Sequence, residues 1–477
     1  MAQQTGLDAG RQCVIYIVGK GENRMYVDEL KKIIDPDRVT INPTMLEQHS
    51  KDESYHPPCL PDAVVFPKTT EEVSRIAAWA NEHCVPIIPF GVASGMEGQI
   101  IPQKGGISLD FQLMNRVLEV KPQDFLVRVQ PGVTRMQLNK ELKKYGLFFS
   151  VDPGADATIG GMAATNASGT TSVRYGIMRD QVRDMEVVLA DGRIIHTGSM
   201  AAKSSSGYHL NGLFVGSEGT LGIFTELTLR LYGIPEASVT ARASFPTVTD
   251  AVEAACTVMA AAIPVARMEL VDSRSIQQVN SYKGTDYPER STLFFEFHGN
   301  EAGLAHDLAF AQEIVREHGC DDFVSETDSL RQAALWEARH HLAYAFLHSY
   351  PGKKAMSTDV CLPLSELAGA IGHAREIIEQ SGMVGGIVGH VGDGNFHSLL
   401  MVRPDDPTDV EQAESINAQI VSYALSRGGT CTGEHGVGLG KAKYQRTEHG
   451  PALDVMYAMK RMLDPNHILN PGKIFIF

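Results

Sequence analysis

The sequence has no long apolar run. Its longest weakly polar stretch, "AACTVMAAAIPVA" (254–266), is too short to span a bilayer and contains Pro264. It has no basic run either: 42 Lys and Arg stand against 57 Asp and Glu, a formal net charge of −15. That balance disfavours a nucleic-acid surface and adds no pull toward anionic lipid. The opening "MAQQTGLDAGRQCVIYIVGKG" lacks a basic n-region and a long apolar h-region, so neither a signal peptide nor an arginine-rich transit peptide is expected. Seven cysteines (13, 59, 84, 256, 320, 361 and 431) form no CxxC, which fits free thiols in a reducing compartment. No GxGxxG follows a strand and no GxxxxGK[ST] occurs, so Rossmann and Walker readings are weak. Repeats and low-complexity linkers are also missing.

What is present is ordinary for a globular chain: 43% hydrophobic and 21% charged residues. At 477 residues, two or three domains are expected. "AVVFPKTTEEVSRIAAWANEHCVPIIPFG" (63–91) reads as strand, helix, strand, with Thr69 or Thr70 and Glu71-Glu72 marking the helix start. "FLVRVQPGVTRMQLNKELKKYG" (125–146) repeats strand-to-helix, and "DMEVVLADGRIIHTG" (184–198) is a hairpin turning at Asp191-Gly192. "ASVTARASFPTVTDAVEAACTVMAA" (237–261) opens a second unit, which continues through "STLFFEFHG" and a helix around "LRQAALWEARHHLAYAF". "TDVEQAESINAQIVSYALSRGG" is another helix, and the chain ends on "LDPNHILNPGKIF".

Two stretches suggest a metal. "GHVGDGNFHS" (389–398) sets His390 and His397 around Asp393-Gly394, the preferred filling of a two-residue hairpin turn. With the turn there, His390 faces His397, at a Cβ separation of about 4.5–5.5 Å. Two imidazoles at that spacing can share one ion at about 2.0–2.1 Å each. A four-residue loop centred on the same pair would keep this register; a three-residue bulged loop would break it. The alternative is a His pair on a polar hairpin face. A third, anionic ligand is offered by Glu434 in "TGEHGVGLGK" (432–441), giving a His2Glu set with open positions. His435 is then free to move protons. The four glycines at 433, 436, 438 and 440 leave little room for helix and suggest a loop pressed against a ligand.

Three glycine-rich stretches precede residue 227: "PFGVASGMEG" (89–98), "PGADATIGGMAATNASG" (153–169) and "GSEGTLGIFTE" (216–226). Any one alone reads as a loop. Together, and poor in lysine, they favour a large cofactor held by backbone and hydroxyl groups.

From "VVFPKTTEEV" to the C-terminus the chain resembles the flavin-dependent D-lactate dehydrogenases of the vanillyl-alcohol-oxidase/PCMH flavoprotein superfamily. Glycolate oxidase FAD subunits and D-2-hydroxyglutarate dehydrogenases are near relatives. The resemblance rests on "VVFPKTTEEV", "PGADATIGGMAATNASG", "RYG", "GSEGTLGI", "STDVCLP", "GHVGDGNFH", "TGEHGVGLGK" and "LDPNHILNPGK". It implies an α+β fold: a two-part PCMH-type FAD-binding domain over 1–236 with an N-terminal extension 1–60, an α+β cap with an antiparallel sheet over 237–430, and a segment 431–477 returning to the flavin site.

The resemblance also implies FAD contacts. They come from Pro89, Phe90, Gly91, Val92, Ala93, Ser94 and Gly95, then from Pro153, Gly154, Ala155, Thr158, Gly160, Gly161, Ala164, Ser168 and Gly169. Tyr175, Gly176, Glu218, Gly219, Gly222, Ile223 and Asn470 complete the set. Val92, Ala93 and Gln99 depart from the family's pattern for the first of these loops, and this chain has one hydroxyl fewer there to offer the cofactor. No histidine stands between Ile87 and Gly106, so non-covalent FAD is implied. The family's metal ligands map onto His390, His397 and Glu434, its base onto His435, and its substrate-binding arginine onto Arg339. Zinc or manganese suits that donor set.

The activity implied is oxidation of D-lactate or a similar small D-2-hydroxy acid to the 2-oxo acid. Glycolate and D-2-hydroxyglutarate are the alternative substrates. The dicarboxylate-using relatives carry a lysine before the "D-x-S-L-P" strand and an asparagine two residues after the second metal histidine. Here Ser357 and Thr358 precede Asp359, and Leu399 follows His397, which suits a methyl or short alkyl group, although Lys353 and Lys354 are near in sequence. A quinone, cytochrome or electron-transfer protein would take the electrons. The expected location is cytoplasmic or peripheral at the inner membrane, and a homo-oligomer is left open. Two readings of other classes are a metal-dependent hydrolase, which has no use for the glycine loops, and a non-catalytic flavin-binding subunit, which has no use for His435 or Arg339.

Overall fold

The computed structural model describes residues 23–476. Cys13 and the stretch read for a leader lie outside them. Three main sheets carry the fold. The first has four strands in the order Val39–Thr40, Ala63–Val65, Ile107–Asp110, Ile87–Phe90; its last three strands are parallel. As expected, the helix Thr70–His83 starts at Thr69, whose Oγ1 accepts the Glu72 N–H. Arg38 then grips Glu72 with two hydrogen bonds of 2.6 Å, fixing the helix start to the strand edge.

The second sheet is antiparallel, ordered Val117–Lys121, Leu126–Val129, Ile223–Arg230, Val182–Val188, Ile194–His196. Val188 and Ile223 from this sheet also sit in the core of the first, so the two sheets share apolar packing. The third sheet is the largest. Its strands run Asp322–Glu326, Ala237–Phe245, Ser291–Gly299, Val265–Val271, Gly385–His390, Asn395–Val402, Lys354–Ser357, with Val360–Cys361 also paired to Asn395–Val402. Every pairing in it is antiparallel. One face packs on Val248–Ala260, Glu301–Glu317, Leu364–Ser381 and Pro407–Ser426. The other carries a smaller apolar cluster around Phe294, Trp336, Phe346 and Leu399. The helix expected over "LRQAALWEARHHLAYAF" is two helices, Ser329–His340 and Leu342–Ser349. His341 between them leaves helical geometry (φ −90°, ψ 6°).

Five of the cysteines (59, 256, 320, 361, 431) are free thiols; Cys84 is disulfide-bonded, which corrects the expectation there. Among the described residues no helix is long and apolar enough to cross a membrane.

The C-terminal segment returns to the first sheet. Ile87 N–H donates to Ile468 O at 2.7 Å, and Asn470 N–H to Ile87 O at 2.9 Å. Lys460 holds that return in place. It is 3% exposed, forms an ion pair with Asp464, and donates to Thr220 O (2.7 Å) and Leu469 O (2.9 Å). Asp464 in turn accepts the Ile468 and Leu469 N–H groups. A buried ammonium is tolerated only while so paired. Asp464→Ala is therefore expected to cost roughly 3–5 kcal/mol, read as a lower urea midpoint. The double change Lys460→Met, Asp464→Leu should recover most of it. A single variant as stable as the parent would remove this pair from the account.

Candidate functional site

The hairpin carrying His390 and His397 differs in register from the sequence expectation. Val388 pairs with His397 and His390 with Asn395, so the loop is the four residues Val391–Gly394 and its centre lies one position earlier. Gly394 has φ +79°, but Asp393 is not among the residues of positive φ. A two-residue turn needs positive φ at both central residues; Asp393 N–H instead bonds His390 O at 3.0 Å. The histidines are diagonal rather than opposed. The slip is two residues, so side chains stay on the same face, and the rings still meet, with centroids 5.5 Å apart at 82°.

The expected third group joins them. Glu434 Oε1 lies 3.1 Å from His390 Nε2 and 3.2 Å from His397 Nε2. Each ring's other nitrogen is engaged. His397 Nδ1 bonds Thr358 O at 3.1 Å, and His390 Nδ1 meets Glu269 Oε1 at 2.5 Å. Nδ1–H donates on both rings, a tautomer assigned from these partners; both Nε2 atoms face Glu434, and a protonated His390 donates to it from Nε2 as well. One donor atom from each of the three residues lies within 4.8 Å of the others. Burial disfavours a charged His390, but Glu269 and Glu434 on either side outweigh it and raise its pKa well above the usual value. A divalent ion at Nε2 would replace that proton. The donor set fits a cation.

A second group, Asp359, His397 and His435, also converges, but its carboxylate is spent. Asp359 Oδ2 accepts from Thr432 Oγ1 (2.6 Å) and from the N–H groups of Gly433 (2.8 Å), Glu434 (2.9 Å) and His435 (2.9 Å). Its Oδ1 accepts from Asn395 Nδ2 at 2.8 Å. Burial pushes the Asp359 pKa up, but His435, His397 and Lys441 outweigh it and hold the carboxyl low.

The loop after Glu434 is irregular, as its glycines require. They press against protein atoms, side chain and backbone, where the sequence suggested a ligand. A Cβ on Gly433 would stand 2.1 Å from Asn395 Nδ2, one on Gly436 2.5 Å from Glu218 Oε1, and one on Gly440 2.1 Å from Glu97 Oε2. Glu218 accepts the Val437 N–H (2.6 Å) and Gly438 N–H (2.9 Å), and burial pushes its pKa up to about 7. Gln99 Nε2 donates to His435 O at 2.7 Å, and Asn470 Nδ2 to Glu218 O at 2.7 Å.

His435 stacks on His397, centroids 4.8 Å apart and planes 12° apart. Its Nδ1 is buried without a hydrogen-bond partner among the described residues. Burial lowers its pKa to about 4 despite Asp359 nearby, so the ring is neutral at pH 7. Arg339 Nε bonds Glu269 Oε2 at 2.9 Å, so a carboxylate stands between this arginine and His390.

The three glycine-rich stretches converge on one hollow. It is lined by Pro89, Phe90 and Gly91 from the first, Thr158, Gly160, Gly161 and Ala164 from the second, and Gly219, Gly222 and Ile223 from the third. Phe111, Pro131 and Phe224 complete the wall. The close approach needs glycine: a Cβ on Gly91 would lie 2.4 Å from Thr158 Oγ1. A backbone-lined hollow with apolar walls fits a long cofactor. Other expected contacts lie outside its wall. Val92, Gly154 and Ala155 are exposed; Ala93 (φ +56°), Ser94, Gly95 and Pro153 are partly exposed. Ser168 Oγ donates to Glu434 Oε2 at 2.8 Å. Gly169 abuts Asp152, and Gly176 abuts Asp180. Tyr175 Oη bonds His298 Nδ1 at 2.8 Å, Glu218 holds the 436–438 loop, and Asn470 Nδ2 donates to Glu218 O.

Sequence reasoning missed Glu269 and the role of Asp359. Each carried a signal: Glu269 is an acid inside the apolar strand "VARMELV", and Asp359 stands inside "STDVCLP". Asp359→Asn puts an amide donor or a neutral oxygen where four donors converge. Charge-assisted bonds contribute about 1.5–3 kcal/mol each, so the variant should unfold at lower urea. Any folded fraction should keep the cofactor cradle while losing order at 432–435, read by hydrogen exchange. Unchanged protection there would contradict this role.

Residues 61–198 match the FAD binding domain model, and residues 234–474 match the model for FAD linked oxidases, C-terminal domain. The chain is 45% identical over 452 residues to the "Probable D-lactate dehydrogenase, mitochondrial" of Danio rerio, covering 94% of this chain and 91% of that one. It is 43% identical over 464 residues to the "D-lactate dehydrogenase [cytochrome], mitochondrial" of Arabidopsis thaliana, covering 96% and 82%. The fold matches p-cresol methylhydroxylase with a TM-score of 0.79 at 19% identity, over 96% of this chain and 98% of that one. Sheets, cradle and matches agree: this chain belongs to the family of FAD-linked oxidases, as an FAD-binding oxidoreductase whose relatives include the D-lactate dehydrogenases.

Proposed function

We propose that this protein oxidises a small D-2-hydroxy monocarboxylate, D-lactate first, to the 2-oxo acid. The observation that carries the reading is the convergence of His390, His397 and Glu434 with a neutral, unpartnered His435 Nδ1 beside them. The names of the relatives support the substrate and its D stereochemistry. FAD, held non-covalently over the three glycine stretches, would supply a two-electron acceptor beside the substrate. A divalent ion, zinc or manganese, on His390, His397 and Glu434 supplies a Lewis acid for the substrate oxygens.

The chain's own groups do the rest. His435 accepts the hydroxyl proton at Nδ1. Arg339, anchored through Nε by Glu269, directs its remaining N–H groups to the substrate carboxylate. Neither Lys353 nor Lys354 is placed to meet the far end of the substrate. Lys353 is engaged by Met401 O (3.0 Å) and Asp409 (3.7 Å). Lys354 is exposed and pairs with Val402, whereas Ser357 pairs with Leu399; the two positions point to opposite faces. Leu399 shares the His397 face and packs with Trp336 and Phe346. A second carboxylate there would be desolvated without a partner.

We also propose the working division 1–236, 237–430 and 431–477, with the last segment closing both the metal set and the flavin end. A cytochrome, quinone or electron-transfer protein is the proposed acceptor, and a cytoplasmic or membrane-peripheral location the proposed site of action. A metal-dependent hydrolase would leave the cradle without use.

The central test is anaerobic reduction of the bound flavin by D-lactate, L-lactate, glycolate, D-2-hydroxybutyrate and D-2-hydroxyglutarate. D-Lactate should bleach it with the highest kred/Kd. L-Lactate or D-2-hydroxyglutarate in the lead would overturn this pocket. His435→Ala should slow reduction by about 10²–10⁴-fold with substrate binding retained; a rate within a few-fold of the parent removes His435 from the chemistry. Acid precipitation should leave the flavin in the supernatant, whereas colour held in the pellet would mean a covalent link.

A further inference from the structure

The two metal-binding histidines are held by unlike groups. His397 Nδ1 bonds a neutral carbonyl, Thr358 O, at 3.1 Å. His390 Nδ1 meets a carboxylate, Glu269 Oε1, at 2.5 Å. Glu269 belongs to the strand Val265–Val271, which pairs with Gly385–His390 through Leu270↔Gly389 and Val271↔Val388. Continuing that register sets Glu269 beside His390, so the contact is fixed by the sheet and not by a loop. The Glu269 side chain is fully buried. A carboxylate there needs partners for both oxygens. Its second oxygen, Oε2, is taken by Arg339 Nε at 2.9 Å, from the helix Ser329–His340. One buried acid therefore joins the imidazole that binds the metal to the arginine proposed to bind the substrate.

We infer that Glu269 is a positioning residue for the metal site: it fixes His390 as the Nδ1–H tautomer with Nε2 toward the ion, and Arg339 holds Glu269 in that pose. The inference rests on the metal reading above. A carboxylate on the far nitrogen raises the basicity of the ligating one, as carboxylate–histidine–metal arrangements do in general. Arg339 offsets the buried negative charge and keeps Oε2 from turning away. Arg339 thus serves the ion as well as the substrate. Its removal should weaken metal binding even when no substrate is present, which a pure substrate clamp would not do.

The test measures Mn2+ and Zn2+ affinity by chelator competition on FAD-loaded protein without substrate. Elemental analysis gives the stoichiometry. The parent should bind one ion per chain. Glu269→Gln keeps the shape and removes the charge; it should bind about 10- to 100-fold more weakly while its flavin spectrum matches the parent's. Glu269→Asp, which restores the charge one methylene short, should bind more tightly than Glu269→Gln. Arg339→Met should weaken binding in the same direction. Should Glu269→Gln fail to fold, Arg339→Met, at a partly exposed position, carries the measurement. A parent that binds one ion while Glu269→Gln and Arg339→Met bind it within threefold of the parent overturns this inference alone. A parent that binds neither ion overturns the metal reading and this inference together.

Discussion

The carboxylate of Asp359 decides where the chemistry can happen. Glu434 and His435 lie on a glycine-rich loop that has no helix or strand to hold it. Four donors from Thr432 to His435 converge on one oxygen of a side chain that is itself fully buried. With hydrogen bonds to charged groups contributing about 1.5–3 kcal/mol each, this cluster outweighs what a four-residue segment loses in backbone freedom, about 1–2 kcal/mol per residue. Asp359 is in turn fixed at the junction of two strands that pair with the histidine hairpin. One carboxylate therefore transfers the rigidity of the sheet to the loop, and Glu434 reaches the two imidazoles because of it.

The same burial acts in opposite directions on neighbouring groups. His390 lies between two carboxylates, and they outweigh desolvation, so it is proton-loving. His435 lies one ring away, stacked on His397. Its Nδ1 finds no partner among the described residues, desolvation wins, and its pKa falls to about 4. Two histidines within one site thus take opposite protonation behaviour from their partners alone. Glu218 shows the third outcome: two backbone donors and Lys473 oppose burial without cancelling it, and its pKa settles near 7.

Legibility in the sequence follows the range of the interaction. The His–His–Glu set was readable because hairpin side chains repeat every two residues; the structure moved the turn by one position, which slipped the register by two and kept the face. A slip of one residue would have sent His397 to the other side. The cradle was readable because three local stretches share one composition, while the ten wall residues named in advance came from the family resemblance. Glu269 was not readable as a partner of His390: the 121 residues that separate them hold four further strands and several helices, and nothing local says which strands will pair. The glycines of the 433–440 loop were misread for a related reason. Their neighbours, Asn395, Glu218 and Glu97, come from three distant parts of the chain, so close packing against protein and close packing against a ligand look alike in one dimension.

Ser168 adds a constraint on how the two halves work together. It stands in the second glycine stretch, three residues past the helix whose start lines the cradle, and its hydroxyl donates to Glu434 Oε2. Gln99 and Asn470 make the same kind of bridge on the other side of the loop. Gln99 binds His435 O, and Asn470 binds Glu218 O and Gln99 O. Glu434 is therefore gripped from the cradle side and from the hairpin side at once. Neither grip is a long lever: each is one or two hydrogen bonds between rigid segments. The proposed hydride transfer would require donor carbon and acceptor atom to be held closely, and the proposed site draws on different parts of the chain for the two. Tying Glu434 to the second glycine stretch through a single hydroxyl makes the distance between those parts a property of local bonds rather than of the whole interface.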